Sequence, residues 1–378
     1  MKDFNLSIPT RIYYGRDIFK DSLYKEKELL NCNVLVVTTG YALDKLGYVK
    51  QLTEVLKDIT KETFVFYDID ANPKVEQVEN AVKYGVEHDC KVVIGFGGGS
   101  SMDAAKAAAV GIGCKKPLND FMFNGEVPSE LTLPIIAIPT TAGTGSELSR
   151  GAILTSIERK IKTGIRGEHI CPSVAIVDSY FTEQIPEKIT IDTGFDVFAH
   201  AIESYVSRKS TAFSEMLSLE AIKTVVCNLP ILKTDLHNQE ARKNMSYASM
   251  IMGINLANVG TALPHRMQYP IGARTDTSHG IGLFALYPVW LKYEYKYNAK
   301  KIDVIAKLIS EYQGLHSTSS VECITKFLFL LQNKTTLADL GVKDGYISEM
   351  ISDVSGNITA DPASDEVDII RKIYCESL

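Results

Sequence analysis

The chain reads as an α/β half, a parallel sheet with helices on both faces, followed by an all-α half. Three observations predict this. Short β-rich apolar runs alternate with helix-like stretches through the first half, and strand signals fade from about residue 190. The 378 residues also exceed the roughly 250–300 that one hydrophobic core sustains. A composition shift and a helix-stopping proline at 182–188 place the boundary, giving domains of 1–184 and 185–378.

In chain order, the strands are expected at Val34–Thr38, Thr63–Tyr67, Lys91–Gly95 and Pro134–Pro139. Between the second and third, Pro73–Gly85 carries apolar residues at 75, 78, 81 and 82 and a glycine at its end, the spacing of a crossover helix. In the second half, 194–207, 213–227, 239–257 and 300–312 carry helical periodicity. There is no internal repeat and no low-complexity tract.

Composition narrows the function classes. Forty Lys+Arg against 46 Asp+Glu leave a net charge of −6, and the longest basic runs, such as Lys115-Lys116, span only two or three residues, so nucleic acid is not an expected partner. No long apolar stretch lacks charges and the N-terminus lacks an apolar targeting core, so a cytoplasmic protein without a membrane span is expected. Seven cysteines without a CxxC pair do not read as a disulfide framework.

Two turns and one cluster carry chemistry. Directly after the third strand, Gly97-Gly98-Gly99-Ser100 opens a helix that continues through Asp103 and Lys106. Glycine lets backbone approach a ligand, and a helix N-terminus offers free N–H groups to a pyrophosphate. A tight βα turn needs glycine for steric reasons as well. The second turn, Pro139–Glu147, places four hydroxyls and two glycines after the fourth strand, suited to phosphate, ribose or carboxamide, or else to helix capping by Thr144 or Ser146. Asp196 and His200 share a helix face at i and i+4, as either a hydrogen-bonded pair or metal ligands. His265 and His279 each lie at a helix start beside a turn residue; three imidazoles and a carboxylate would suit a divalent transition metal with a position open to substrate.

Taken together, Gly97-Gly-Gly-Ser-x-x-Asp103-x-x-Lys106, Pro139-Thr-Thr-x-Gly-Thr-Gly-Ser-Glu147, Asp196-x-x-x-His200, His265 and His279-Gly280 resemble the iron-containing (group III) alcohol dehydrogenases, in order from residue 10 to about 290. The resemblance implies a dehydroquinate synthase-like architecture, an N-terminal dinucleotide-binding domain, a helical metal-binding domain and a homodimer. It implies Fe2+ or Zn2+ held by Asp196, His200, His265 and His279. By the same carry-over Asn72, Gly98, Gly99, Ser100, Asp103, Thr140, Thr141, Thr144 and Lys162 look like the dinucleotide contacts.

The chain departs from that pattern at two places. Many family members carry a histidine four residues after the third ligand, a candidate for proton transfer; here Tyr269 stands there and is the candidate, although an unperturbed phenol titrates only near pH 10. The string His265-x-Met-x-Tyr-Pro is similar to the hydroxyacid–oxoacid transhydrogenase branch, so a polar hydroxy acid or phosphonate substrate is an alternative to a simple alcohol or aldehyde. Arg266 and Arg274 could then pair with its anion, or be structural or solvated. After the first strand, Thr39 replaces the frequent aspartate that binds the ribose of NAD and repels the phosphate of NADP, leaving both coenzymes admissible.

The expected activity is a metal-dependent, NAD(P)-linked hydride transfer between a small-molecule alcohol and its carbonyl. Its competitors are a dehydroquinate synthase-like lyase, which uses NAD without net redox change, and a dinucleotide sensor without turnover.

Overall fold

The computed structural model describes residues 3–159 and 161–378. They form two compact units, Ser7–Glu183 and Gln184–Leu378, the second joined by the described residues before Ser7.

The first unit holds strands β1 (Arg11–Gly15), β2 (Asn33–Val37), β3 (Glu62–Phe66), β4 (Val92–Gly97), β5 (Ile135–Pro139), β6 (Gly151–Ser156), β7 (Ile161–Arg166) and β8 (Val174–Asp178). Six of them form one parallel sheet in the order β1-β8-β5-β4-β2-β3, while β6 and β7 pair as an antiparallel hairpin. Its main helices are α1 (Phe19–Lys25), α2 (Tyr48–Leu56), α3 (Val75–Glu87) and α4 (Gly99–Cys114).

Alternation along the strands builds two cores. Leu35, Val37, Val93 and Ile135 face α3 and α4 with Val75, Val78, Ala81 and the alanines of α4. Val34, Val36, Val92, Ile94, Ile136 and Ile138 face the other way, against Leu23 of α1 and Val49, Leu52 and Leu56 of α2. Both faces are covered, which is why the strands read as continuous apolar runs.

The chain leaves β2 toward β3 at one edge and leaves β4 toward β5 in the opposite direction. Neighbouring strands whose connections diverge open a crevice at their carboxyl ends, where ligands bind in such sheets.

The four expected strands and the crossover helix are present. β1, β8 and the hairpin are strands beyond the four expected. β1 is a half-exposed edge strand with a mixed pattern, whereas Val174–Val177 is as apolar as the recognised runs and was legible in principle.

The second unit contains no strand among the described residues. Its helices include α5 (Glu187–Val206), α6 (Ala212–Thr234), α7 (Gln239–Asn258), α8 (Leu263–Thr275), α9 (His279–Gln313), α10 (Ser320–Leu331), α11 (Ile347–Asp353) and α12 (Ile369–Glu376). α5 is buried almost all round from Thr190 onward, as a central helix must be. The expected segment 300–312 is the far limb of α9, which kinks at Asn298 (φ −130°, ψ 36°). Among the described residues, no helix is long and apolar enough to cross a membrane.

Candidate metal centre and dinucleotide crevice

Of the four side chains expected to converge, Asp196, His265 and His279 form one cluster in the helical unit, and His200 lies beside Asp196. Asp196 and His200 sit one turn apart on α5. The Nε2 atoms of His265, His200 and His279 lie 3.3, 3.5 and 3.5 Å from the single oxygen Oδ1 of Asp196. Asp196, His265 and His279 offer ligand atoms within 4.8 Å of one another, and the His200 and His265 rings stack at 4.5 Å. Tetrahedral coordination with bonds of ~2.0–2.2 Å has ligand–ligand edges of about 3.3–3.6 Å, which the three distances to Asp196 Oδ1 match.

Local structure explains the convergence. Pro264 in the first turn of α8 favours helix initiation and leaves His265 in that turn. The start of α8 is fastened by two carboxylates: Glu203 Oε2 accepts the Ala262 N–H at 2.7 Å, and Asp361 Oδ2 accepts the Leu263 N–H at 2.9 Å. α9 begins at His279, and Ser278 before it donates to Asp192 Oδ2 of α5 at 2.6 Å.

Electrostatics also favour a cation. Burial would raise the Asp196 carboxyl, but the facing His200, His279 and His265 hold it below the usual carboxylate range. Burial would lower the His265 imidazole, yet Glu203 and Asp196 push it up to about 10. A buried cluster that draws positive charge this strongly matches the donor chemistry of a metal centre.

Two residues absent from the sequence reading touch the imidazoles. Glu203, fully buried, places Oε1 at 2.6 Å from His265 Nδ1. Gln268, also fully buried, places Oε1 at 2.5 Å from His279 Nδ1. Glu203 was findable as the i+7 member of the Asp196/His200 face, and Gln268 as the residue one turn after His265.

Tyr269 stacks toward His279 with centroids 6.2 Å apart, and the Arg266 guanidinium lies 5.9 Å from the Tyr269 ring centroid. No carboxylate of the described residues pairs with Arg266, and its Nε is buried without a hydrogen-bond partner. Arg274 is otherwise engaged. It reaches Asp353 at 2.6 Å and Glu349 at 3.5 Å on α11, the structural alternative rather than a substrate clamp.

In the α/β unit, the expected dinucleotide residues gather at the carboxyl end of the sheet. Thr39 follows β2, and its hydroxyl bonds Ser101 on α4. Gly97 takes φ +148°, which side chains rarely adopt, and Gly98 caps α4. A Cβ on Gly99 would come within 2.6 Å of Thr144, so the two loops touch only because residue 99 is glycine. Thr140 donates its N–H to Gly97 O at 2.9 Å, and a Cβ on Gly98 would lie 3.4 Å from the Thr141 hydroxyl. Ser100 donates to the Ala71 carbonyl beside Asn72. Lys162, on β7, donates to Asn72 Oδ1 at 2.8 Å.

Asp103 has fold-internal partners on both oxygens. Oδ1 accepts Ser146 Oγ at 2.5 Å and faces Lys106 Nζ at 3.2 Å, and Oδ2 accepts the Ile153 N–H at 2.9 Å. The fully buried Lys106 also donates to Ser146 O and Ser149 Oγ, both at 3.0 Å. No helix begins in the loop after β5, so its hydroxyls do not serve as helix caps: Thr144 Oγ1 accepts the Ser146 N–H at 3.3 Å and Ser146 turns to Asp103.

Comparison with known proteins agrees with this geometry. Residues 9–179 match the family model of iron-containing alcohol dehydrogenase, and residues 190–378 match that of the Fe-containing alcohol dehydrogenase family, C-terminal. The chain belongs to the iron-containing alcohol dehydrogenase family. It is 30% identical to the 1,3-propanediol dehydrogenase of Klebsiella pneumoniae, over 90% of each chain. It is 28% identical to the NADPH-dependent butanol dehydrogenase of Clostridium saccharobutylicum, over 97% of this chain and 96% of that one. The crystal structure of sulfoacetaldehyde reductase from Bifidobacterium kashiwanohense in complex with NAD+ superposes with a TM-score of 0.87 at 27% identity, covering 100% of this chain and 99% of that one. The family member described here is thus an oxidoreductase of the alcohol–aldehyde class that uses iron or a similar metal and NAD or NADP, and the lyase and sensor alternatives fall away.

Proposed function

We propose that the enzyme interconverts an alcohol and its carbonyl compound by hydride transfer to or from nicotinamide C4, with Asp196, His200, His265 and His279 as the metal ligands. The observation carrying this reading is the approach of three imidazole Nε2 atoms to one Asp196 oxygen at 3.3–3.5 Å. A divalent metal held there supplies Lewis-acid chemistry, favouring the alkoxide over the alcohol and polarising the carbonyl in reverse.

The remaining work belongs to the chain. The glycine turn at Gly97–Ser100, the N-terminus of α4 and the hydroxyl loop Thr140–Thr144 receive the dinucleotide, with Asn72 and Lys162 beside them and Thr39 at the end of β2. Thr39 carries no charge to repel a 2′-phosphate, so NAD and NADP are both accepted. Tyr269, one turn after His265 and beside His279, passes the hydroxyl proton toward solvent.

The test strips the enzyme with a chelator, restores Fe2+ or Zn2+, and follows NAD(P)H absorbance with alcohols and aldehydes. His265→Ala and His279→Ala lose bound metal and turnover while dinucleotide affinity persists. Equal turnover in the stripped enzyme rejects the proposal.

A second reading concerns substrate polarity. Arg266 has no carboxylate partner among the described residues and lies over the Tyr269 ring, which stands beside His279, and this favours a substrate with an anionic group such as a carboxylate, phosphonate or sulfonate. Arg266→Ala would then raise KM for anionic aldehydes and leave neutral ones unchanged. A cytoplasmic homodimer completes the proposal: all seven cysteines are free, as a reducing compartment requires, and the dimer rests on the family resemblance. Light scattering checks the dimer.

A further inference from the structure

An imidazole that coordinates through Nε2 must carry its proton on Nδ1, and an acceptor facing Nδ1 selects that tautomer and fixes the ring plane. Two acceptors of different kinds face the two histidines contributed by α8 and α9. Glu203 meets His265 Nδ1 at 2.6 Å and is itself held from the other side by the Ala262 N–H, with the Tyr287 hydroxyl 3.4 Å from Oε1. Gln268 meets His279 Nδ1 at 2.5 Å, and its own Nε2 is buried with no hydrogen-bond partner among the described residues. Burying an unsatisfied amide costs stability, so the placement calls for an explanation at the amide's other end.

The fold makes a slot for this amide. A Cβ on Gly282 of α9 would lie 3.0 Å from Gln268 Cγ and 3.1 Å from its Nε2, and a Cβ on Gly272 of α8 would lie 3.1 Å from Nε2. Two helices therefore omit a side chain where Gln268 passes. His265 is also the more enclosed ring, its side chain 3% exposed against 27% for His279.

We propose that Glu203 and Gln268 are positioning residues that make the two imidazoles unequal. The Glu203 carboxylate, itself held by the Ala262 N–H, makes His265 the firmly held ligand. The neutral Gln268 amide, kept in place by Gly272 and Gly282, orients His279 without strengthening it to the same degree. This rests on the four-ligand reading given above.

The experiment titrates the metal-free enzyme with Zn2+ by calorimetry and with Co2+ by its visible absorption, using dinucleotide binding as a control. Gln268→Met, which removes the acceptor, and Gly282→Ala, which crowds it while touching no ligand, should each weaken Zn2+ binding by about 10–100-fold. The double variant should be no worse than Gln268→Met, because Gly282 acts through Gln268. Gln268→Glu, with an acceptor at the same reach, should retain binding, a rescue that lost packing would not produce. Glu203→Met, which removes the other acceptor, should cost more than Gln268→Met and change the Co2+ spectrum. Unchanged Zn2+ affinity in Gln268→Met and Gly282→Ala overturns the proposal while leaving the metal centre intact. A wild-type enzyme that binds neither Zn2+ nor Co2+ overturns the four-ligand reading itself.

Discussion

Lys162 Nζ donates to Asn72 Oδ1 at 2.8 Å, joining the β6–β7 hairpin to the turn that precedes α3. Residues ninety positions apart in the chain thus form one unit beside the carboxyl end of the sheet. If that unit holds the dinucleotide, Asn72→Ala and Lys162→Ala each raise KM for the coenzyme and change kcat little. Their effects should be coupled by about 0.5–3 kcal/mol in a double-mutant cycle on coenzyme binding. Additive effects would show that the pair does not act together.

Thr39 follows β2 with its hydroxyl engaged by Ser101, at the position where a carboxylate would meet the coenzyme ribose. Thr39→Asp should therefore shift the ratio of kcat/KM for NAD over NADP upward by about tenfold or more, equivalent to about 1.4 kcal/mol. Initial rates with both coenzymes at one substrate concentration decide it, and an unchanged ratio removes Thr39 from the ribose site.

Tyr269 stands beside His279 as the proposed proton carrier. General acid–base groups contribute about 10²–10⁴-fold, so Tyr269→Phe should lower kcat by at least about 10²-fold. Tyr269→His should restore activity and move the rising limb of the pH–rate profile toward neutrality, because an imidazole titrates nearer pH 7 than a phenol. A Tyr269→Phe enzyme with wild-type kcat would transfer the proton by another route.

Glu294 of α9 is fully buried beside Asp361, which already accepts N–H groups from Leu263 and Ala363 and the indole of Trp290. Burial and the Asp361 charge raise the Glu294 carboxyl well above its ordinary 4.5, so the folded chain keeps a proton that the unfolded chain has released. Between 4.5 and the folded value of about 9, each rise of one pH unit costs the folded state about 1.4 kcal/mol from this group. Glu294→Gln cannot release a proton, so its melting temperature relative to wild type should climb from pH 6 to pH 8. A difference that stays flat would mean that Glu294 is ionised in the fold.

Much of the site could be read from residue order. Asp196 and His200 share a face because helix geometry makes i and i+4 neighbours, and His265 and His279 announce themselves beside Pro264 and Gly280 at helix starts. The glycine turn after β4 and the hydroxyl loop after β5 follow from apolar runs that end in small residues. Arg274 shows the opposite case, since its pairing with Asp353 spans 79 positions and no local pattern announces it.

Residue order alone thus determined the α/β-then-α architecture, the residue types of the candidate site and the turns, because these depend on periodicities and on residues a few positions apart. Tertiary structure decided what each polar group does. It turned three imidazoles onto one Asp196 oxygen, set Glu203 and Gln268 behind two of them, engaged Asp103 and Lys106 in holding the hydroxyl loop, and left Arg266 without a carboxylate among the described residues. The physical reason is that a buried polar side chain must find its partner wherever packing brings one within about 3 Å, and that distance is set by the whole fold.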